Sequence, residues 1–278
     1  MAIYNKTRQQ LRHLTARLCN DLIIGTVASP ASGTFVCTAT DWEKADDWFN
    51  DYVEMFCYSG TGIGTSGKPT GWSNSSPSYS HVLTFKPAAT LTVGDLVEMH
   101  QVFTVATYND FMNQAIDMVA KEALINKVDT SVELETDTYQ YTLSTQFLFV
   151  NSIELESSTA GVYNSENPID DRYWRVIKAT TTKIEFVKDW WTPTDGRKIR
   201  ISGLASPSIL DTDDEECPLN PIYISYQAAA LLHQSRIRSD SIDSEFHRAQ
   251  MTLCQSMADR VRKTMRVGIG GGQAVVET

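Results

Sequence analysis

The sequence predicts an α+β protein. A helical bundle, made of an N-terminal helix, a central helix and a C-terminal helix pair, carries two inserted antiparallel β modules. Three observations lead there. Apolar residues recur at three- and four-residue spacing in separate tracts near 11–22, 111–125 and 219–261. Between these tracts lie short alternating runs bounded by Gly, Pro, Ser and Asp. No unit of about 20–50 residues repeats, which argues against a solenoid. The bundle is assigned to 1–25, 105–130 and 217–266, the first β module to 26–104, the second to 131–210, and a flexible tail to 267–278.

The first helix is expected over Thr7 to Gly25, where Leu11, Leu14, Leu18 and Leu22 form one stripe with Arg8, Arg12 and Arg17 off it. Gly25 is a plausible stop. Thr34 to Thr40, Asp51 to Tyr58, His81 to Lys86 and Leu96 to Phe103 are expected strands. Ser59 to Ser80 is so rich in Gly, Ser, Thr and Pro that it predicts one long loop. Thr107 opens the central helix as its N-cap, with Asp110 in a capping box, and that helix runs to Val128. Tyr139 to Leu143, Phe147 to Leu155, Tyr173 to Lys178, Lys183 to Val187 and Lys198 to Ile201 are the second set of strands, with a hairpin signal at Asp195-Gly196. Pro218 and Pro221 precede an Ala-rich helix over Leu219 to Arg238, and Ser244 to Arg266 is the last helix.

The formal net charge of −10 argues against a free nucleic-acid binder, whose face is normally basic. It suits a protein past which DNA must slide. No apolar run reaches the roughly 20 residues of a spanning helix, and the N-terminus reads as a cytosolic start without a signal peptide. The five cysteines are scattered without C-x-x-C spacing, which predicts buried free thiols in a reducing compartment.

The candidate chemical motifs each lack a necessary part. Gly62, Gly67 and Lys68 have the spacing of a phosphate loop, but Pro69 stands where a Ser or Thr would bind magnesium, and no helix follows. The five histidines lie apart in sequence with no nucleophile or orienting acid beside them. Asp211, Asp213, Asp214, Glu215 and Glu216 form an acidic run ahead of a helix, which suits capping or a solvated surface. The same run could form an acidic channel rim that repels DNA, and less readily a cation site. Arg260, Arg262, Lys263 and Arg266 complement the last helix's dipole and also suit docking on an acidic partner. Trp190 and Trp191, as neighbours on a strand, would face opposite sides, one to the core and one to an interface. No catalytic, cofactor or metal site is predicted.

Two segments carry a resemblance. In GDLVEMHQVFTVATYNDFMNQAIDMVAKE, Gly94, Asp95 and Glu98 close a strand, and Asn113, Ala115 and Ile116 follow on a helix. In ECPLNPIYISYQAAALLHQSRIRSDSIDSEFHRAQ, a polar run and Pro precede an Ala-rich helix, a short link and a helix with E-F-x-x-A. Together with the N-terminal helix, these resemble the head–tail adaptor, or neck, proteins of tailed bacteriophages. The resemblance covers about half the chain. It implies a non-enzymatic virion protein that forms a ring, usually dodecameric, between portal and tail. It also implies a DNA channel, a portal partner and a downstream tail or neck protein, with assembly in the host cytoplasm. The alternatives are another phage tail or baseplate structural protein, or a glycan-acting enzyme using exposed tryptophans.

Overall fold

The computed structural model describes residues 5–31, 33–37, 44–75, 80–145, 147–178, 180–194, 196–237, 243–265, 273–274 and 276–277. The chain divides into two compact units, Met1–Asp117 with Ile209–Thr264, and Met118–Ser208 with Met265–Thr278.

The first unit opens with β1 (Lys6–Thr7) and α1 (Arg8–Leu18). Thr7 caps α1, its hydroxyl accepting from Gln10 N at 3.3 Å. The helix stops well before Gly25 because Asn20 adopts a left-handed conformation (φ 53°), and Asp21 N–H then returns to the Ala16 carbonyl. Six strands follow: β2 (Ile23–Ala31), β3 (Thr34–Cys37), β4 (Glu54–Ser59), β5 (Ser66–Ser75), β6 (Ser80–Lys86) and β7 (Leu96–His100). They close into a barrel in the order β2-β3-β6-β5-β4-β7, with every pairing antiparallel. Phe35, Met55, Trp72, Leu83, Val97 and Met99 belong to its core. α2 (Val105–Asp117) follows β7.

The second unit is a sandwich. β8 (Ile125–Asp129), β9 (Gln140–Thr142), β10 (Phe147–Leu155), β11 (Trp174–Lys178), β12 (Thr182–Phe186) and β13 (Ile199–Ala205) supply most of it. The chain then re-enters the first unit through β14 (Glu216–Cys217), which pairs β1, and continues into α3 (Pro221–Arg236) and α4 (Ser244–Met265). Asn220 caps α3 and Pro221 opens it. β15 (Gln273–Ala274) and β16 (Val276–Glu277) return to the sandwich, whose sheets run β15-β10-β13-β8 and β16-β11-β12-β9. Phe147, Ile153 and Ile201 of one sheet share a core with Trp174, Ile184 and Phe186 of the other.

The predicted helical bundle is therefore corrected. The fold is strand-rich, 33% strand against 27% helix, with four α-helices among the described residues and a closed six-stranded barrel. Two local misreadings hid this. The tract Ser59 to Ser80 is not one long loop: Ser66–Ser75 is a full barrel strand paired to β4 and β6, reached by a turn over Gly60 to Gly64, while 76–79 lie outside the described residues. The tight wall requires a glycine at 67, since a Cβ there would lie 2.6 Å from the Phe85 ring. The central helix ends at Asp117 and not at Val128, because Ile125–Asp129 is β8, paired residue by residue with β13. Its start also differs, with Thr104 Oγ1 accepting from Thr107 N at 3.2 Å, so Thr107 lies inside the helix. Of the predicted flexible tail, 273–274 and 276–277 are strands and the rest lies outside the described residues, as do Asp195 of the hairpin signal and Arg266.

One carboxylate pins the barrel's turns. Asp95 Oδ1 accepts from Thr61 N and Thr92 Oγ1, both at 2.8 Å, and Oδ2 from Thr92 N at 2.8 Å and Gly62 N at 3.1 Å. Burial favours the neutral acid, but these bonds, led by Thr92, outweigh it and hold the carboxyl below its usual range. Asp95→Ala leaves those donors without their acceptor and is expected to cost about 1–3 kcal/mol, measured by urea unfolding. A midpoint equal to wild type would refute this role.

Candidate functional site

The barrel's outer face under α1 carries a buried charge cluster. On β7, Val97 and Met99 enter the barrel core, so the alternate residues Glu98 and His100 face outward. Arg12, Glu98 and His100 are each 0% exposed. Arg12 Nη2 lies 2.8 Å from Glu98 Oε1 and 2.8 Å from Asp213 Oδ2, and Arg12 Nη1 bonds Asp213 Oδ1 at 2.9 Å. Arg8 Nε reaches Asp213 Oδ1 at 2.9 Å. His13 Nε2 sits 2.6 Å from Glu98 Oε2, and His100 Nε2 3.7 Å from the same oxygen. Beside them, Asp21 accepts from the backbone N–H of Gln101, of Val102 at 3.0 Å and of Phe103 at 3.0 Å, and from the Tyr108 hydroxyl at 2.8 Å. His100 Nδ1 lies 2.7 Å from the Asp21 carbonyl.

The electrostatics follow from this packing. Burial alone would neutralise Glu98, but the imidazoles of His100 and His13 and the Arg12 charge outweigh it and hold Glu98 well below the carboxylate range. Asp213 is lowered in the same way, against its own burial, by Arg12 and Arg8. Burial pulls His100 down, but Glu98 and Asp21 raise it overall. Arg12, Glu98 and His100 are fully enclosed, and only Arg8, His13 and Asp213 at the cluster's edge keep partial exposure.

The surface offers a different kind of site. α4 has 22 residues, of which Cys254 and Ala258 are the buried ones. Two seams run along it at alternating four- and three-residue spacing. The inner seam holds His247, Met251, Cys254, Ala258 and Val261. Cys254 packs with Ala229 and Ala230 of α3, and His247 Nδ1 meets His233 Nδ1 at 3.0 Å. The outer seam holds Phe246, Gln250, Leu253, Met257 and Arg260. Its Phe246 and Leu253 are 56% and 57% exposed. α4 also borders an open groove of about 550 Å³ lined by Met251, Thr252, Gln255, Ser256, Asp259, Arg260 and Lys263.

The residues singled out in the sequence divide between these places. Asp213 is drawn inward onto Arg8 and Arg12. Glu215 accepts from the N–H groups of Asp211 and Thr212, and Glu216 from Asn5. Asp211, Asp214, Glu215 and Glu216 are exposed. Arg260 and Lys263 are exposed on α4, Arg262 is half-buried, and Arg266 lies outside the described residues. Trp190 and Trp191 sit in a turn after β12, not on a strand. Trp191 packs on Phe186 with ring centroids 4.3 Å apart, while Trp190 is 61% exposed. Gly60 to Gly64 is a turn and Lys68 is on β5, with no helix after it. Among the described residues no group of three or more His, Cys, Asp or Glu converges as a metal site, and Cys19, Cys57, Cys217 and Cys254 are free thiols.

What the sequence does not show is that Arg12, Glu98 and His100 meet. Arg12 was placed off the apolar stripe of α1, and the histidines were read as isolated, whereas the fold pairs His233 with His247 and brings His13 and His100 to one carboxylate. The available signal was the Glu98-x-His100 pair, which period-two alternation puts on the face opposite Val97 and Met99.

Arg12→Met strips Glu98 and Asp213 of their shared cation and is expected to cost about 3–5 kcal/mol in denaturant unfolding. The cluster also sets a two-sided pH profile. The lowered Glu98 and Asp213 contribute stability above about pH 4 that is lost as pH falls through their folded values. The raised His100 contributes fully below about pH 6.5 and loses its contribution as pH rises through its folded value. His100→Gln should remove the alkaline limb and keep the acid one. An unchanged alkaline limb would count against this assignment.

Sequence comparison finds no protein-family model that matches the chain and no matching curated protein.

Proposed function

We propose that the chain is a non-catalytic structural protein of a tailed bacteriophage virion. In this reading it forms a ring between portal and tail, with a channel through which DNA passes without sequence-specific contact. The observation that carries the reading is α4, a long helix whose outer seam displays Phe246 and Leu253 to solvent. A helix that leaves large apolar side chains such as these in solvent suits a subunit that completes its packing in an assembly. The segments that resemble neck proteins fall on β7 with α2 and on α3 with α4. The net charge of −10 suits a wall that must not hold DNA. No helix is long and apolar enough to cross a membrane, among the residues described.

The partners under this proposal are further copies of the chain, usually dodecameric in such rings, the portal protein and a downstream neck or tail protein. The strand-rich fold gives weight to a second reading, another tail or baseplate structural role. Electron microscopy of particles separates the two. The expected result is density for this chain beneath the portal, and particles assembled without it as filled heads lacking tails. Density at the tail tip, or normally tailed particles without the chain, would overturn the neck assignment.

A further inference from the structure

Two exposed surfaces of the first unit complement one another in charge and both display apolar groups. One is the exposed side of α4, where Phe246, Leu253 and Arg260 follow one another at seven-residue spacing and Lys263 is exposed further along, on the groove side with Asp259. The other is the segment 209–222. It begins and ends on exposed apolar side chains, Ile209 at 46% and Ile222 at 50%, with the exposed carboxylates of Asp211, Asp214 and Glu216 between. Asp213, in the middle of that run, turns inward and is neutralised by Arg8 and Arg12. The fold thus consumes one acid of the run and leaves Asp211 and Asp214 pointing out. Among the described residues, Lys263 and Asp214 make no ion pair.

We propose that the exposed side of α4 on one copy docks against the segment 209–222 of a second copy. The occupant is identified by charge. A chain of net charge −10 repels its own kind on average, and a local basic patch facing a local acidic one offsets that repulsion and sets the orientation of the contact. Arg260 and Lys263 supply the first, and Asp211 and Asp214 the second. Phe246 and Leu253 with Ile209 and Ile222 supply apolar area that salt does not screen. Because the two surfaces differ, the contact is head-to-tail and propagates from copy to copy, closing into a ring where the rotation allows. Ring closure rests on the function proposed above; the pairwise contact does not.

The test uses the full-length chain in three forms: wild type, Arg260→Glu with Lys263→Glu, and Asp211→Lys with Asp214→Lys. Sedimentation velocity is run across a concentration series, with thermal melting as the folding control. Wild type should self-associate. Each reversal should weaken association at least about tenfold while leaving melting unchanged, because these side chains are exposed. An equal mixture of the two reversed forms should recover association, since every contact between unlike copies is then attractive. Phe246→Ser with Leu253→Ser should weaken association at both low and high salt. A wild type that stays monomeric, reversals that associate as wild type does, or a mixture that fails to recover would each overturn the contact. A monomeric chain that is nevertheless found beneath the portal would overturn this contact and leave the neck assignment standing. A confirmed contact in a chain located elsewhere in the particle would do the reverse.

Discussion

The Arg12–Glu98 ion pair is the constraint on which the first unit depends. Both side chains are wholly removed from water, a state that is tolerable only when each charge meets its partners at hydrogen-bond distance. Arg12 lies on α1, Glu98 on β7, and the third member, Asp213, on the second stretch of the first unit, Ile209–Thr264. Satisfying the guanidinium therefore fixes α1 against the barrel wall and draws the acidic segment onto α1, where β14 then pairs β1. Asp21 does the equivalent work one layer away, binding three successive N–H groups after β7 and the Tyr108 hydroxyl of α2. Helices and barrel are thus joined by polar groups that have no substitute partner.

Much of this was readable locally. α3 begins two residues after the expected Leu219, at Pro221, the strands β7, β10 and β11 lie within the alternating runs that predict them, and β12 is offset from its run by one residue. The different environments of Trp190 and Trp191 were also foreseeable, although a turn and not a strand separates them. What escaped was non-local. Barrel closure is a pairing between β2 and β7, far apart in sequence, and β5 is a strand because β4 and β6 flank it, not because Gly67, Pro69 and Gly71 favour one. β8 continues a helical-looking tract, and its fate is decided by β13.

The site was legible in the same uneven way. Lys263 and Arg260 were found as a basic cluster because charges close in sequence on a helix stay close in space. Asp213 was grouped with its acidic neighbours, yet its role is opposite to theirs, since a single turn sends it inward while Asp211 and Asp214 stay in water. Glu98 enters the sequence reading only through the resemblance, and His100 only as one of five scattered histidines. Nothing local joins them to Arg12, because a carboxylate and an imidazole on a strand normally mark its wet face. Here that face is roofed by α1 and α2.

The discontinuity of the first unit has a consequence for synthesis. Arg12 and Asp213 are 201 residues apart, and the stretch 118–208 lies between them and belongs to the other unit. At about 5–20 residues per second, the ribosome delivers the second partner some ~10–40 s after the first. Through that interval the nascent chain can close its barrel and begin its sandwich, but it holds a guanidinium with part of its ligand shell missing. The last event in the first unit is then a docking step, the arrival of Asp213 with β14, α3 and α4. The helix that carries the outer seam is thus made after Asp213, so the charge beneath α1 can be neutralised before that seam emerges, and β15 and β16 of the second unit follow last.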